Sequence, residues 1–207
     1  MKRLKNISIE LICKDSDTKV NWPFSVLVKG KGFIASEYLN DKSFLDLRGG
    51  VFMSTDRFFC FFSSTDYYDL FTVVRALLYS LISLDQKKYA PFVETLDWTE
   101  DADQVMKLEN ANGDIFQIFK ISPGDLNLQY TESASYSFEG RIMPFFADLV
   151  VDKDAWISAV VDCLNEYFSI INMILTNFPS NNSAGIARQL LYIWNRCNGV
   201  SGSGVQS

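Results

Sequence analysis

Five carboxylates, Glu94, Asp97, Glu100, Asp101 and Asp103, fall within ten residues of one another with no basic side chain among them. Such a set could hold a hard cation, supply a general acid and base, or dock a cationic partner. A calcium loop needs ligands at alternating positions, a glycine at the sixth and a glutamate at the twelfth. Counted from Asp97 the sixth position is Ala102, and counted from Asp101 it is Met106, so neither frame fits. Magnesium asks less, because one or two carboxylates suffice when water completes the shell. A carboxylate pair for glycoside hydrolysis is defined by a separation in space that chain spacing does not set. The plainest alternative is a solvated acidic loop that aids solubility. Trp98 stands in the middle of the set. An aromatic ringed by charge has the composition of an interface anchor with a polar rim; an edge-strand Trp covering one side of a sheet is the structural alternative.

Other chemistries are removed by composition. Histidine is absent, which takes away the commonest general base, the commonest metal ligand and the Ser/His and Cys/His pairs. The four cysteines, Cys13, Cys60, Cys163 and Cys197, form no C-x-x-C pair, so they read as reduced, mostly buried thiols and not as a zinc site. No cofactor is expected. Gly30-Lys31-Gly32 lacks the spacing of a phosphate or dinucleotide loop and reads as a hairpin turn. No G-x-S-x-G elbow is present.

The charge is unevenly placed. The chain carries 19 Lys and Arg against 25 Asp and Glu. Seven of the acids and one base lie between Phe92 and Asp114, so that segment holds the whole excess of −6 and the other 184 residues balance at 18 against 18. Direct nucleic-acid binding is therefore not expected, and a basic protein surface is the better partner. The basic start, Met1-Lys2-Arg3, mimics an export signal, but Glu10 and Lys14 interrupt the apolar run behind it. The apolar stretch Leu70 to Leu84 is 15 residues long and contains Arg75, too short and too polar to span a bilayer. A cytoplasmic location without membrane contact is expected.

These residues must be positioned by a mixed set of elements. Strands are expected at Ile7 to Cys13, Phe24 to Val28, Lys31 to Ala35, Phe44 to Leu47, Val51 to Ser54 and Arg57 to Phe62. The four phenylalanines of Phe58 to Phe62 predict a central strand covered on both faces. Ser63 with Asp66 reads as the cap of a helix whose Leu70, Val73, Val74, Leu77, Leu81 and Leu84 keep a 3.6-residue period, with Arg75, Tyr79 and Ser83 turned away. Further strands are expected at Phe92 to Leu96, Gln104 to Glu109, Ile115 to Ile121, Leu126 to Tyr130, Ser135 to Phe138 and Phe145 to Val151, with Asn112-Gly113 as a hairpin turn. Asp152 should cap a long helix that buries Trp156, Val160, Cys163, Leu164, Tyr167, Ile171 and Ile174 and ends at Pro179. A last helix from Ala184 to Cys197 should turn Ile186, Leu190, Ile193 and Trp194 inward.

The expected fold is α+β: mostly antiparallel sheet, two long amphipathic helices packed on one face, and a C-terminal helix. Strands followed by a capped helix occur twice, so residues 1–198 are expected as one globular domain with pseudo-repeat halves 1–90 and 91–178, followed by a Gly/Ser-rich flexible tail at 199–207. The functional expectation is a non-catalytic intracellular binding protein, an inhibitor or immunity protein that neutralises a basic toxin or nuclease. Glu94, Asp97, Trp98, Glu100, Asp101 and Asp103 would form its partner-binding face, and a composition rich in Lys, Asn, Ser and Ile is compatible with a bacterial source. The alternatives are a His-free carboxylate or Mg²⁺-dependent enzyme and a structural subunit of a larger assembly.

Overall fold

The computed structural model describes residues 3–14, 21–25, 47–55, 59–63, 70–99, 101, 103–110, 112–138, 141–177, 179–180 and 183–199. The strands expected at 31–35 and 44–46, the Gly30 turn, Asp66, Glu100 and the tail beyond Gly199 lie outside these residues.

Two four-stranded sheets are each followed by helices. The first contains β1 (Ile7–Lys14), β2 (Asn21–Pro23), β3 (Gly49–Thr55) and β4 (Phe59–Ser63), in the order β2-β1-β3-β4. The helices α1 (Leu70–Leu84), α2 (Gln86–Tyr89) and α3 (Pro91–Thr95) come next. The second sheet contains β5 (Gln104–Glu109), β6 (Ile115–Ser122), β7 (Asp125–Phe138) and β8 (Arg141–Asp152), in sequence order. It leads into α4 (Lys153–Asn177) and α5 (Ala184–Asn198). All pairings between these strands are antiparallel, and the chain has the expected α+β class with a C-terminal helix.

Period-two alternation selects the buried face of each sheet. In the first, Ile9, Leu11 and Cys13 of β1 lie opposite Met53, Val51 and Gly49 of β3, and all are buried. Glycine is required at Gly49, where a Cβ would stand 2.3 Å from the Ile12 carbonyl oxygen and 2.8 Å from the Leu70 side chain. In the second sheet Phe116 and Ile118 of β6 lie opposite Tyr130 and Leu128 of β7, again all buried. The hairpin between β5 and β6 closes as the Asn-Gly pair predicts. Gly113 has φ 83, and the Asn110 Oδ1 accepts the backbone N–H groups of Asn112 and Asp114 at 3.0 and 2.9 Å.

The two sheets exchange helices. α1 follows the first sheet but packs mainly on β5 of the second, whereas α4 follows the second sheet and packs mainly on β1 of the first. Both helices are consequently walled in. α1 buries Ala76, Leu78, Ser80 and Ile82 besides Leu70, Val73, Val74, Leu77 and Leu81 of the expected stripe, whose last member, Leu84, is only half-buried at the helix end. Where α1 and α4 meet, the fully buried Trp156 donates its indole N–H to the Ser80 hydroxyl at 3.3 Å. α4 is long and apolar enough to cross a membrane. One face of it is buried within the protein, and the other carries the exposed Asp162, Asn165, Glu166 and Asn172.

Several local expectations are corrected. Phe92 to Leu96 is not a strand: Pro91 to Thr95 is the short helix α3, with proline at its first turn, where the missing N–H costs nothing. Phe24 and Ser25 are helical, not extended. Ser63 ends β4 and pairs with Gly50, and residues 64–69, where the helix it is expected to cap would begin, lie outside the described residues. β4 is not central, for among the described strands it pairs only with β3 and lies at the sheet edge. The two strands expected at 126–130 and 135–138 are one strand, β7, whose register shifts between Glu132 and Tyr136. Ile186 is 41% exposed, because the buried stripe of α5 runs through Ala184, Ala187, Leu190, Ile193 and Trp194. Ile186 precedes Ala187 by one residue, a rotation of about 100° around the helix.

Candidate functional site

The acidic segment begins on α3 and runs to the start of β5. α3 is stopped after Thr95 by a closing turn. Leu96 donates its N–H to the Phe92 carbonyl at 3.0 Å, and Trp98 donates its own to the Val93 carbonyl at 3.0 Å. The second bond spans six residues and requires the residue before Trp98 to be left-handed. That residue is Asp97, with φ 51, the one non-glycine residue of positive φ among those described. Aspartate is one of the few side chains tolerated there.

The turn fixes what the segment presents. Glu94 and Asp97 are exposed, and Trp98 is half-buried against the apolar core. Val93, also half-buried, packs on the same core. An apolar residue just beyond such a turn commonly covers the end of the helix, so Trp98 has a packing role whatever else it does. It is not on an edge strand. Asp101 and Asp103 are exposed, and the Asp103 carbonyl accepts the Lys120 N–H at 2.8 Å, which ties the end of the segment to β6. From the other side the Tyr79 hydroxyl donates to the Leu96 carbonyl at 2.7 Å. Tyr79 was expected to face away from the core; it is half-buried and used here.

Among the described residues, Glu94, Asp97, Asp101 and Asp103 form no ion pair and no side-chain hydrogen bond with any other. Two other acids from the same stretch are used internally. Glu109 pairs with Lys107 at 2.6 Å, and Asp114 accepts the Asn110 side-chain amide at 2.8 Å. The described members of the expected acidic cluster therefore divide: Glu94, Asp97, Asp101 and Asp103 face solvent with no side-chain partner among the described residues, whereas Glu109 pairs within β5 and Asp114 closes the β5–β6 turn. No group of three His, Cys, Asp or Glu side chains that could hold a metal ion occurs among the described residues.

Two features carry no signal in the sequence. One is an ionic cluster in which Arg3 pairs with Asp125 at 2.8 Å and Asp152 at 2.5 Å, joining groups far apart in the chain. The other is an open groove of about 480 Å³ between the start of α4 and the ends of β1 and β3. Its lining includes Lys5, Asp162, Ser8, Ser54, Thr55 and Ser158.

Of the cysteines, Cys13 and Cys163 are buried and Cys197 is half-buried. The Cys13 thiol donates to the Arg48 carbonyl at 3.2 Å. Burial pushes the Cys163 thiol up to about 12, and the nearby charges of Glu166, Glu10 and Asp162 act in the same direction, opposed by a hydrogen bond with the Leu11 backbone. Such a thiol is protonated at neutral pH and is not a nucleophile. The chain matches no protein-family profile, no curated protein and no solved structure.

Proposed function

We propose that the chain is a non-catalytic binding protein that occludes a basic protein partner with the segment from Glu94 to Asp103. The single observation that carries this reading is the set of exposed carboxylates at Glu94, Asp97, Asp101 and Asp103, free of any described internal counter-charge. A partner whose function requires a cationic cleft, a nuclease or another toxin, has the complementary surface. The chain then acts as an intracellular inhibitor of the immunity-protein kind, mimicking an anionic substrate and accelerating encounter by steering.

Exposed ion pairs contribute only about 0–1 kcal/mol each. Tight binding therefore needs a buried anchor and roughly 1,200–2,000 Å² of interface. Trp98, half-buried at the centre of the segment, offers an aromatic edge held by the α3 turn. The turn also rigidifies the backbone on which Glu94 and Asp97 stand, which lowers the ordering cost of docking.

The test is kinetic. With the partner recovered by pull-down, the association rate is measured against ionic strength for the native chain and for Glu94→Lys combined with Asp101→Lys. The expected result is a rate that falls steeply with salt and drops about tenfold or more in the double variant, at unchanged melting temperature. An association rate indifferent to both salt and charge reversal overturns the proposal.

A further inference from the structure

We draw no further inference here: the strongest candidate, the outward face of the β5–β8 sheet, where Phe146 is 58% and Ile121 54% exposed, carries the hydrogen-bonded Gln117, Gln129, Asn127 and Asp148 between those two side chains, and nothing in the structure shows what covers either.

Discussion

Arg3 and Asp152, separated by nearly three-quarters of the chain, stand 2.5 Å apart, Nη2 to Oδ2. The same aspartate uses its other oxygen, Oδ1, to accept the Ala155 N–H at 2.9 Å and so caps α4. Beside this pair, Leu4 donates its N–H to the Val150 carbonyl and accepts the Asp152 N–H, both at 2.9 Å. The start of the chain is thereby stitched to the edge of β8, and one carboxylate serves strand, helix and N-terminal segment together.

The two duties of Asp152 separate by substitution. Asp152→Ala removes both the cap and the ion pair, and a lost cap alone costs about 1 kcal/mol. Asp152→Asn keeps a capping oxygen and loses only the charge, so it is expected to cost less. Arg3→Ala should fall near Asp152→Asn, because Arg3 is 40% exposed and water screens its pairs. Urea denaturation of the three variants checks the order; equal losses for Asp152→Ala and Asp152→Asn would show that the cap contributes nothing.

Asp97 is left-handed only because Trp98 must reach back to Val93. Glycine removes the steric penalty of that conformation and adds some unfolded-chain entropy, leaving a net gain of about 0.5–1 kcal/mol for Asp97→Gly. Asp97→Ala is expected to destabilise, since alanine has the Cβ without the polar group that tolerates the region. Thermal melts of both variants decide it. The same geometry makes Asp97 a poor position for charge reversal, because a lysine there changes backbone strain along with charge.

What was legible in the sequence was local. The buried face of α4 could be read because Trp156, Val160, Cys163, Leu164, Tyr167, Ile171 and Ile174 repeat at helical spacing along most of a 25-residue helix. The Asn-Gly turn and the Asp152 cap were readable because each depends on residues within four positions. Phe92 to Leu96 was misread because five residues hold too few periods to separate helix from strand. The exchange of helices, the edge position of β4 and the Arg3 cluster depend on contacts remote in sequence, and no local pattern encodes them. At the candidate site the exposure of the carboxylates was legible from charge density. The closing turn that orients them was not, because it lacks the glycine that usually marks it.

The indole of Trp156 and the hydroxyl of Ser80 join α1 to α4 inside the core. Ser80 also donates to the Leu77 carbonyl at 2.8 Å, so its hydroxyl is oriented to accept the indole N–H. Ser80→Ala leaves that N–H buried without its acceptor, at an expected cost of about 1–3 kcal/mol. Trp156→Phe removes the donor as well, so Ser80→Ala should cost much less in that background. A double-mutant cycle followed by chemical denaturation measures the coupling, and additive losses would show that the hydrogen bond contributes nothing.

Cys163 gives the fold a defined alkaline weakness. Its folded thiol is held up to about 12, chiefly by burial and then by the charge of Glu166, while an unfolded thiol titrates near about 8.5. The folded state therefore keeps a proton that the unfolded state loses. The stabilisation is fully present below the unfolded value and is lost as pH rises between the two, at about 1.4 kcal/mol per pH unit. Cys163→Ala removes this one-proton dependence while opening a cavity little larger than a sulfur atom. Stability measured from pH 8 to 11 should fall less steeply in the variant than in the native chain, and identical slopes would show that Cys163 ionises normally. The same burial predicts selective chemistry at pH 8. A thiol-alkylating reagent, read out by peptide mass spectrometry, should label the half-buried Cys197 well before Cys163. Cys197 is itself raised by burial, but Lys88 and Arg196 oppose the shift, so its thiolate is the more available of the two.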